Sequence, residues 1–316
     1  MTLSDHVRIL GRGPGRSRSL TRQEARDAMQ LMLSGKAAPE AVGALLMLLR
    51  MKGETAEEIA GFAEAAVQAA PALPPVDLDW PSYAAGRTRG QPWFLLSAKL
   101  VARHGHRVLI HGWNGSDQKV REGLAQAGIG LAQTPDEATR LLERDKIAYL
   151  PLENMHPALF RLLTLRDVLG LRSCINTVCR MLNPGQARTS VQGVFHPSYR
   201  LLQTDAAALL GWSALCVIKG GGGEFERHPS KDIVAFGLRD GAAWQETWTA
   251  LCTETRRLAA HQNLRVSNLW QGPTSPEFEA QTVLGTASLA LRTLGITESD
   301  ARAQALWTDR HRADAA

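Results

Sequence analysis

Leu215-Cys-Val-Ile-Lys-Gly-Gly-Gly-Gly-Glu-Phe-Glu-Arg-His-Pro-Ser-Lys231 decides how the rest of this chain is read. Its apolar start is short and bounded by a turn signal, which predicts a buried strand of a parallel sheet. The four glycines that follow, Gly220, Gly221, Gly222 and Gly223, predict a loop whose backbone N–H groups cradle a phosphate. Glu224 and Glu226 come next, separated by Phe225 and surrounded by Lys219, Arg227, His228 and Lys231. Adjacent carboxylates would suit a metal-backed phosphate, and here they are interrupted by an aromatic ring.

Outward from that strand the same rhythm repeats. Helix from about Trp93 to Arg103, strand at Val108 to His111, helix around Val120 to Ala127 and strand at Ala148 to Leu150 read as a parallel sheet covered by helices. Further helices are expected over Pro157 to Leu169, after Cys174 and over Tyr199 to Leu210, with a strand at Ser190 to Phe195. Ile233 to Leu238 reads as an edge strand and Ser275 to Leu294 as a closing helix.

The start of the chain is different. Thr21 with Glu24 has capping-box spacing, Pro39 opens a second helix, and Thr55 caps a third with a stripe of Ile59, Phe62, Ala63 and Ala66. Ala70-Pro-Ala-Leu-Pro-Pro75 closes this helical unit. The expected organisation is a flexible basic arm over 1–19, a small helical domain over 20–72 and an α/β domain over 73–316. The arm carries Arg8, Arg12, Arg16 and Arg18 among glycine and serine, and reads either as a solvated tail or as a segment that orders on nucleic acid.

With 316 residues, 44% of them hydrophobic and 21% charged, the chain can bury a large core. It has no run long enough to span a bilayer and no apolar signal-peptide core in its first 20 residues, so a cytoplasmic protein with no membrane partner is expected. Cys174, Cys179, Cys216 and Cys252 lack the paired spacing of zinc sites and read as buried thiols. A net charge of +5 biases it mildly toward polyanions.

Several blocks resemble the anthranilate phosphoribosyltransferases, of nucleoside phosphorylase class II fold. They are Leu20-Thr-Arg-Gln-Glu-Ala25, Leu46-Met-Leu-Leu-Arg-Met-Lys-Gly-Glu-Thr-Ala-Glu-Glu-Ile-Ala60, His111-Gly112, His156-Pro-Ala158, Arg166 and Asn183-Pro184. The resemblance implies a glycosyltransferase-type fold, dimerisation through the N-terminal helices, and an acceptor site at His111, His156 and Arg166. It also implies a metal-bound phosphoribosyl pyrophosphate, and there the chain departs from the pattern. Ser82-Tyr-Ala-Ala-Gly86 stands where Gly-Thr-Gly-Gly-Asp is expected, and Pro92-Trp-Phe-Leu95 where Asn-x-Ser-Thr is expected. Phe225 replaces the first carboxylate of Asp-Glu, and Cys179-Arg180 replaces Gly-Pro.

Departures of this kind are similar to a divergent YbiB-type branch, which implies a nucleic-acid-binding homodimer. Arg87, Arg89, Lys99, Arg103, Arg107, Lys119, Lys219, Arg227 and Lys231 are the expected phosphate contacts beside the tetraglycine, with Trp93 and Trp113 as stacking platforms. That set suits a single strand at least as well as a duplex. The expectation is a protein that has lost catalysis with phosphoribosyl pyrophosphate and magnesium, needs no cofactor, and binds nucleic acid. The competing reading is an active glycosyl or phosphoribosyl transferase for a non-anthranilate acceptor. It would hold Mg2+ on Glu224 and Glu226 and the acceptor on Arg166. Structural hydrogen bonding is expected for both histidines. For Arg166 a fork to an anion and an ion pair with Asp167 remain equally open.

Overall fold

A computed structural model of the chain describes residues 1–84, 90–115, 118–255, 264–272 and 276–311. Four helices open it: α1 (Leu3–Gly11), α2 (Arg22–Leu33), α3 (Pro39–Lys52) and α4 (Ala56–Gln68). Thr21 and Thr55 cap α2 and α4 with reciprocal bonds to Glu24 and Glu58. Glu58 is fully buried because it also ties separate segments together. It accepts from Leu20 N at 2.8 Å, Thr55 N at 2.8 Å and Lys52 Nζ at 2.9 Å.

Residues 3–11, expected within a flexible arm, instead form α1. Leu3, Val7 and Leu10 fall on one helical stripe that packs into the core of the unit, burying Leu3 and Leu10. Arg18 is held by two 2.7 Å bonds to Glu24, while Arg12 and Arg16 are exposed.

The rest of the chain runs β1 (Leu78–Ser82), α5 (Phe94–Arg103), β2 (Val108–Gly112), α6 (Lys119–Ala127), α7 (Pro135–Asp145), β3 (Ile147–Pro151) and α8 (Leu152–Met155). Then follow α9 (Pro157–Thr164), α10 (Arg166–Leu169), α11 (Ile175–Arg180), β4 (Thr189–Val194), α12 (Tyr199–Leu209), β5 (Ala214–Lys219), β6 (Ile233–Arg239) and β7 (Ala242–Trp248). Helices α13 (Val266–Gln271), α14 (Glu277–Thr293) and α15 (Ser299–Thr308) close it. Seven strands make one sheet in the order β3-β2-β1-β4-β5-β6-β7, parallel through β5 and antiparallel beyond.

The fold is therefore the expected small helical unit with a larger, mainly parallel α/β unit. Ile233–Arg239 is not the edge strand expected of it, because β7 pairs along its whole length. The expected helix from Pro157 to Leu169 divides at Leu165 into α9 and α10.

Strand alternation sends the two faces of the sheet into separate cores. Trp80, Val108, Ile110, Val191, Cys216 and Ile218 pack under α5 and α14, and Leu109, Leu215 and Val217 face the side of the N-terminal helices. Asp79, His111 and Ser190 take alternate positions on that second face, so their polar side chains are buried beneath the junction of the two units. Among the described residues no helix is long and apolar enough to cross a membrane.

Candidate functional site

The C-terminal ends of β1, β2, β4 and β5 form a mouth facing the helical unit, the end of a parallel sheet where ligands usually enter. At this mouth the tetraglycine is not an open cradle. Gly220 N donates to Val194 O, Gly221 N to Glu226 O and Gly223 N to Gly220 O, so three of the four N–H groups are satisfied internally. What the glycines supply is closeness: a Cβ on Gly220 would stand 1.6 Å from Glu224 O, and one on Gly193 2.0 Å from Glu224 C. The loop folds flat onto β4 and drives Glu224-Phe225-Glu226 into the protein.

Phe225 anchors that segment in the core, fully buried and edge-on to Trp80 at 5.4 Å. Its neighbours have separate destinations. Glu224 Oε1 accepts from Ala84 N at 2.9 Å and Asn114 Nδ2 at 3.1 Å, the Ser82 hydroxyl also bonds this carboxyl group, and among the described residues its buried Oε2 has no partner within hydrogen-bond distance. Glu226 Oε2 accepts from Phe94 N at 3.0 Å, at the first turn of α5. Burial pushes Glu224 up to about 7, against the pull of Arg180, and Glu226 up to about 8, helped by repulsion from Glu224.

Arg180 fills the space between these loops. It is buried, with Nε donating to Gly193 O at 3.1 Å, Nη1 to Asn176 O at 2.9 Å and Nη2 to Tyr83 O at 2.8 Å. A guanidinium with carbonyl acceptors around its fork is a built-in cation, holding α11, β4 and the end of β1 together. Tyr83 is itself buried, its hydroxyl 2.9 Å from His111 Nδ1. Beyond it the network continues from His111 Nε2 to Asp79 at 3.1 Å, with Ser190 Oγ donating to Asp79 at 2.7 Å.

Magnesium prefers a near-octahedral set of oxygens and keeps several waters. The residues present do not fit it. Glu224 and Glu226 are 3% and 4% exposed, accept from backbone N–H groups on different segments, and are held toward their neutral forms. No group of three or more His, Cys, Asp and Glu among the described residues is arranged to hold a metal ion.

Outside this plug lies an open cleft of about 620 Å³ between the two units. Arg50, Arg166, Arg172, Arg180 and His196 line it, with Asp167 the one carboxylate among the described residues and Gly222 at its edge. Arg166 Nε lies 3.6 Å from Asp167, whose side chain is 72% exposed, so this ion pair leaves the cleft cationic.

The remaining expected residues do not converge here. His156 is buried away from the cleft, Nε2 3.0 Å from Ala66 O and Nδ1 accepting from Leu159 N, so it joins α4 to the start of α9. Burial keeps its pKa below the usual imidazole value. Lys119 opens α6, and Lys219 and Lys231 are exposed, all three on the mouth side of the sheet.

Arg107 precedes β2 and lies at the other end of the sheet, one strand length of roughly 17 Å away. Lys99 turns to the far side of α5, donating to Ala127 O and lying 4.4 Å over Trp270, and Arg103 donates to Arg310 O. Arg227 is buried, donating to Thr249 O and resting over Trp248. Trp93 is core and offers no open face for a base, and Trp113 is half-buried and packs edge-on against Phe160. Arg87 and Arg89 lie outside the described residues. The single groove expected from the order of these cations is thus not formed, whereas Arg50 and Arg172, absent from that expectation, do reach the cleft.

Residues 5–70 match the model of the helical bundle domain of the glycosyl transferase family, and residues 95–251 that of its a/b domain. Anthranilate phosphoribosyltransferase of Roseiflexus sp. strain RS-1 is 32% identical over 238 residues, 72% of this chain and 67% of that protein. This chain belongs to that family. The enzyme of Roseiflexus castenholzii is 33% identical over 220 residues, and the match spans 62% of its length. Anthranilate phosphoribosyltransferase from Thermus thermophilus shares the fold with a TM-score of 0.80 over 98% of this chain and 95% of that one, at 23% identity. The Saccharomyces cerevisiae enzyme in complex with PRPP and Mg gives 0.75 over 98% and 93%, at 15% identity.

Proposed function

We propose that this family member no longer transfers a phosphoribosyl group with magnesium, and that it binds nucleic acid through phosphate contacts on its cationic mouth. The observation that carries the first half is the plug. The two carboxylates left in the metal motif are buried and bonded to Ala84, Asn114 and Phe94, and Arg180 supplies a fixed positive charge beside Glu224. A site closed in this way cannot offer a diphosphate both a hydrated cation and free backbone donors.

Arg50, Arg166 and Arg172 against one exposed aspartate among the described residues of the cleft, with Lys119, Lys219 and Lys231 on the same side of the sheet, support the second half. Arginine forks match phosphate oxygens, and a surface that reads the backbone binds with little regard to sequence. Dimerisation through the N-terminal helices would double the surface and is part of the same reading.

Titration of a labelled oligonucleotide at several salt concentrations tests it. With about six phosphates neutralised, log K is expected to fall against log salt with a slope of roughly −4 to −5. Arg166→Ala with Arg172→Ala should weaken binding of different sequences alike. A slope near zero, or no binding at low salt, would overturn the nucleic-acid reading.

A further inference from the structure

A second cleft, of about 670 Å³, opens at the opposite end of the sheet from Glu224. Its floor is the start of the parallel strands, where Leu78, Thr189 and Ala214 stand side by side in register, and its wall is the β6–β7 hairpin with the last turn of α14. Parallel sheets usually take ligands at their other end, so no part of this cleft is shared with the mouth.

The chemistry around it is that of an anion site. Arg239 and Arg292 lie flat on Trp244 at 5.1 Å and on Trp248 at 4.7 Å, and they share Glu246 on the outer side. Such stacking on a rigid indole fixes the planar fork and leaves further N–H groups to donate. Arg107 and Arg188 also line the cleft, and among the described residues neither side chain makes a hydrogen bond or ion pair. Besides Glu246, two carboxylates line the cleft among the described residues. Asp77 is engaged by the backbone N–H of Arg107 at 2.6 Å, and Asp240 is exposed at the hairpin turn.

A further donor waits in the same wall. The indole N–H of Trp248 is buried and has no acceptor among the described residues. A buried donor without a partner costs free energy, which an acceptor oxygen of a ligand would recover. Two uncommitted guanidinium groups, two stacked ones and an orphaned N–H around one cavity call for an anion with several oxygens. The volume admits a group the size of a nucleotide.

We infer that this cleft is a second binding site, for a phosphorylated ligand of nucleotide size, held by Arg107, Arg188, Arg239 and Arg292 with Trp248 donating to one of its oxygens. The site does not rest on the reading of the mouth. Its ligand chemistry, a phosphate ester beside a planar group, is shared by a free nucleotide and by the end of a nucleic-acid strand.

Isothermal titration and tryptophan fluorescence with ATP, and separately with a 5′-phosphorylated oligonucleotide, test it on the full-length protein. Arg107→Ala with Arg188→Ala should weaken binding at least about tenfold, and Trp248→Phe, which removes the N–H together with part of the ring under Arg292, at least about fivefold. Arg166→Ala with Arg172→Ala, at the mouth, should leave ATP affinity unchanged. Saturation by ATP identifies a free nucleotide as the ligand, and oligonucleotide binding without ATP binding identifies a strand end when it survives Arg166→Ala with Arg172→Ala and falls with Arg107→Ala and Arg188→Ala. The site is refuted if neither ligand binds up to millimolar concentration. It is also refuted if affinity for the bound ligand is unmoved by the Arg107 and Arg188 exchanges in variants that keep the wild-type melting temperature.

Discussion

Glu58 in the helical unit and Glu224 at the mouth are both buried carboxylates, and they are buried for opposite reasons. Glu58 uses both oxygens, receiving the N–H groups of Leu20 and Thr55 and the ammonium of Lys52, so it is a staple that the surrounding helices need. Glu224 uses one oxygen and, among the described residues, leaves the other without a partner, and burial drives it toward the neutral acid. A fully satisfied buried charge acts as a structural tie, whereas a half-satisfied one carries a desolvation cost that its neighbours do not offset. The two regions belong to one family fold, and the difference marks the mouth as the place where the proposed loss of phosphoribosyl transfer is to be tested.

Glu58→Ala should produce the largest change, a loss of about 3 kcal/mol or more in urea unfolding, because it orphans the backbone donors of Leu20 and Thr55 at once and removes the carboxylate partner of Lys52. An effect below about 1 kcal/mol would remove the distinction between the two carboxylates. Arg180→Ala should cost about 2 kcal/mol by leaving the carbonyls of Tyr83, Gly193 and Asn176 without their donor. Lysine there should restore only part of it, since one ammonium cannot reproduce the fork.

Glu226 sharpens the comparison through pH. Its pKa is raised in the folded protein, from an ordinary value near 4.5 to about 8, so the native state holds a proton that the unfolded state has released across that interval. Stability from this group is therefore complete below about 4.5 and is lost as pH rises toward 8. Wild-type protein should be less stable at about pH 8.5 than at about pH 5.5, and Glu226→Gln should shrink that drop by at least about 1 kcal/mol in chemical unfolding. An unchanged drop would mean that Glu226 is ionised in the fold.

How much of this was legible depended on whether the signal was local. The helices after Thr21, Pro39 and Thr55 follow from caps and 3.6-residue stripes within a few residues of one another. Signals of the same kind, Thr134 capping α7 through the N–H of Glu137 and the stripe of α1, belong to helices absent from the expected elements. Strand β1 is short and contains Pro81, and its pairing with β2 and β4 identifies it.

At the site, the exchange of Asp for Phe225 was visible in the residues, but its consequence was not. Whether four glycines cradle a phosphate or let two loops touch depends on Gly193, which lies well before Gly220 in the chain and meets the loop only in the fold. Cations close in sequence separate in the same way. Lys99 and Arg103 leave with the far side of a helix, and Arg107 emerges at the wrong end of the sheet.

In the proposed function, the plug of Glu224, Phe225, Glu226 and Arg180 excludes a magnesium-bound sugar diphosphate. Calorimetric titration of the full-length protein with phosphoribosyl pyrophosphate in the presence of Mg2+ tests it most directly. The account predicts no saturable heat and no release of pyrophosphate when anthranilate is added. Saturable micromolar binding that requires Mg2+ would contradict it.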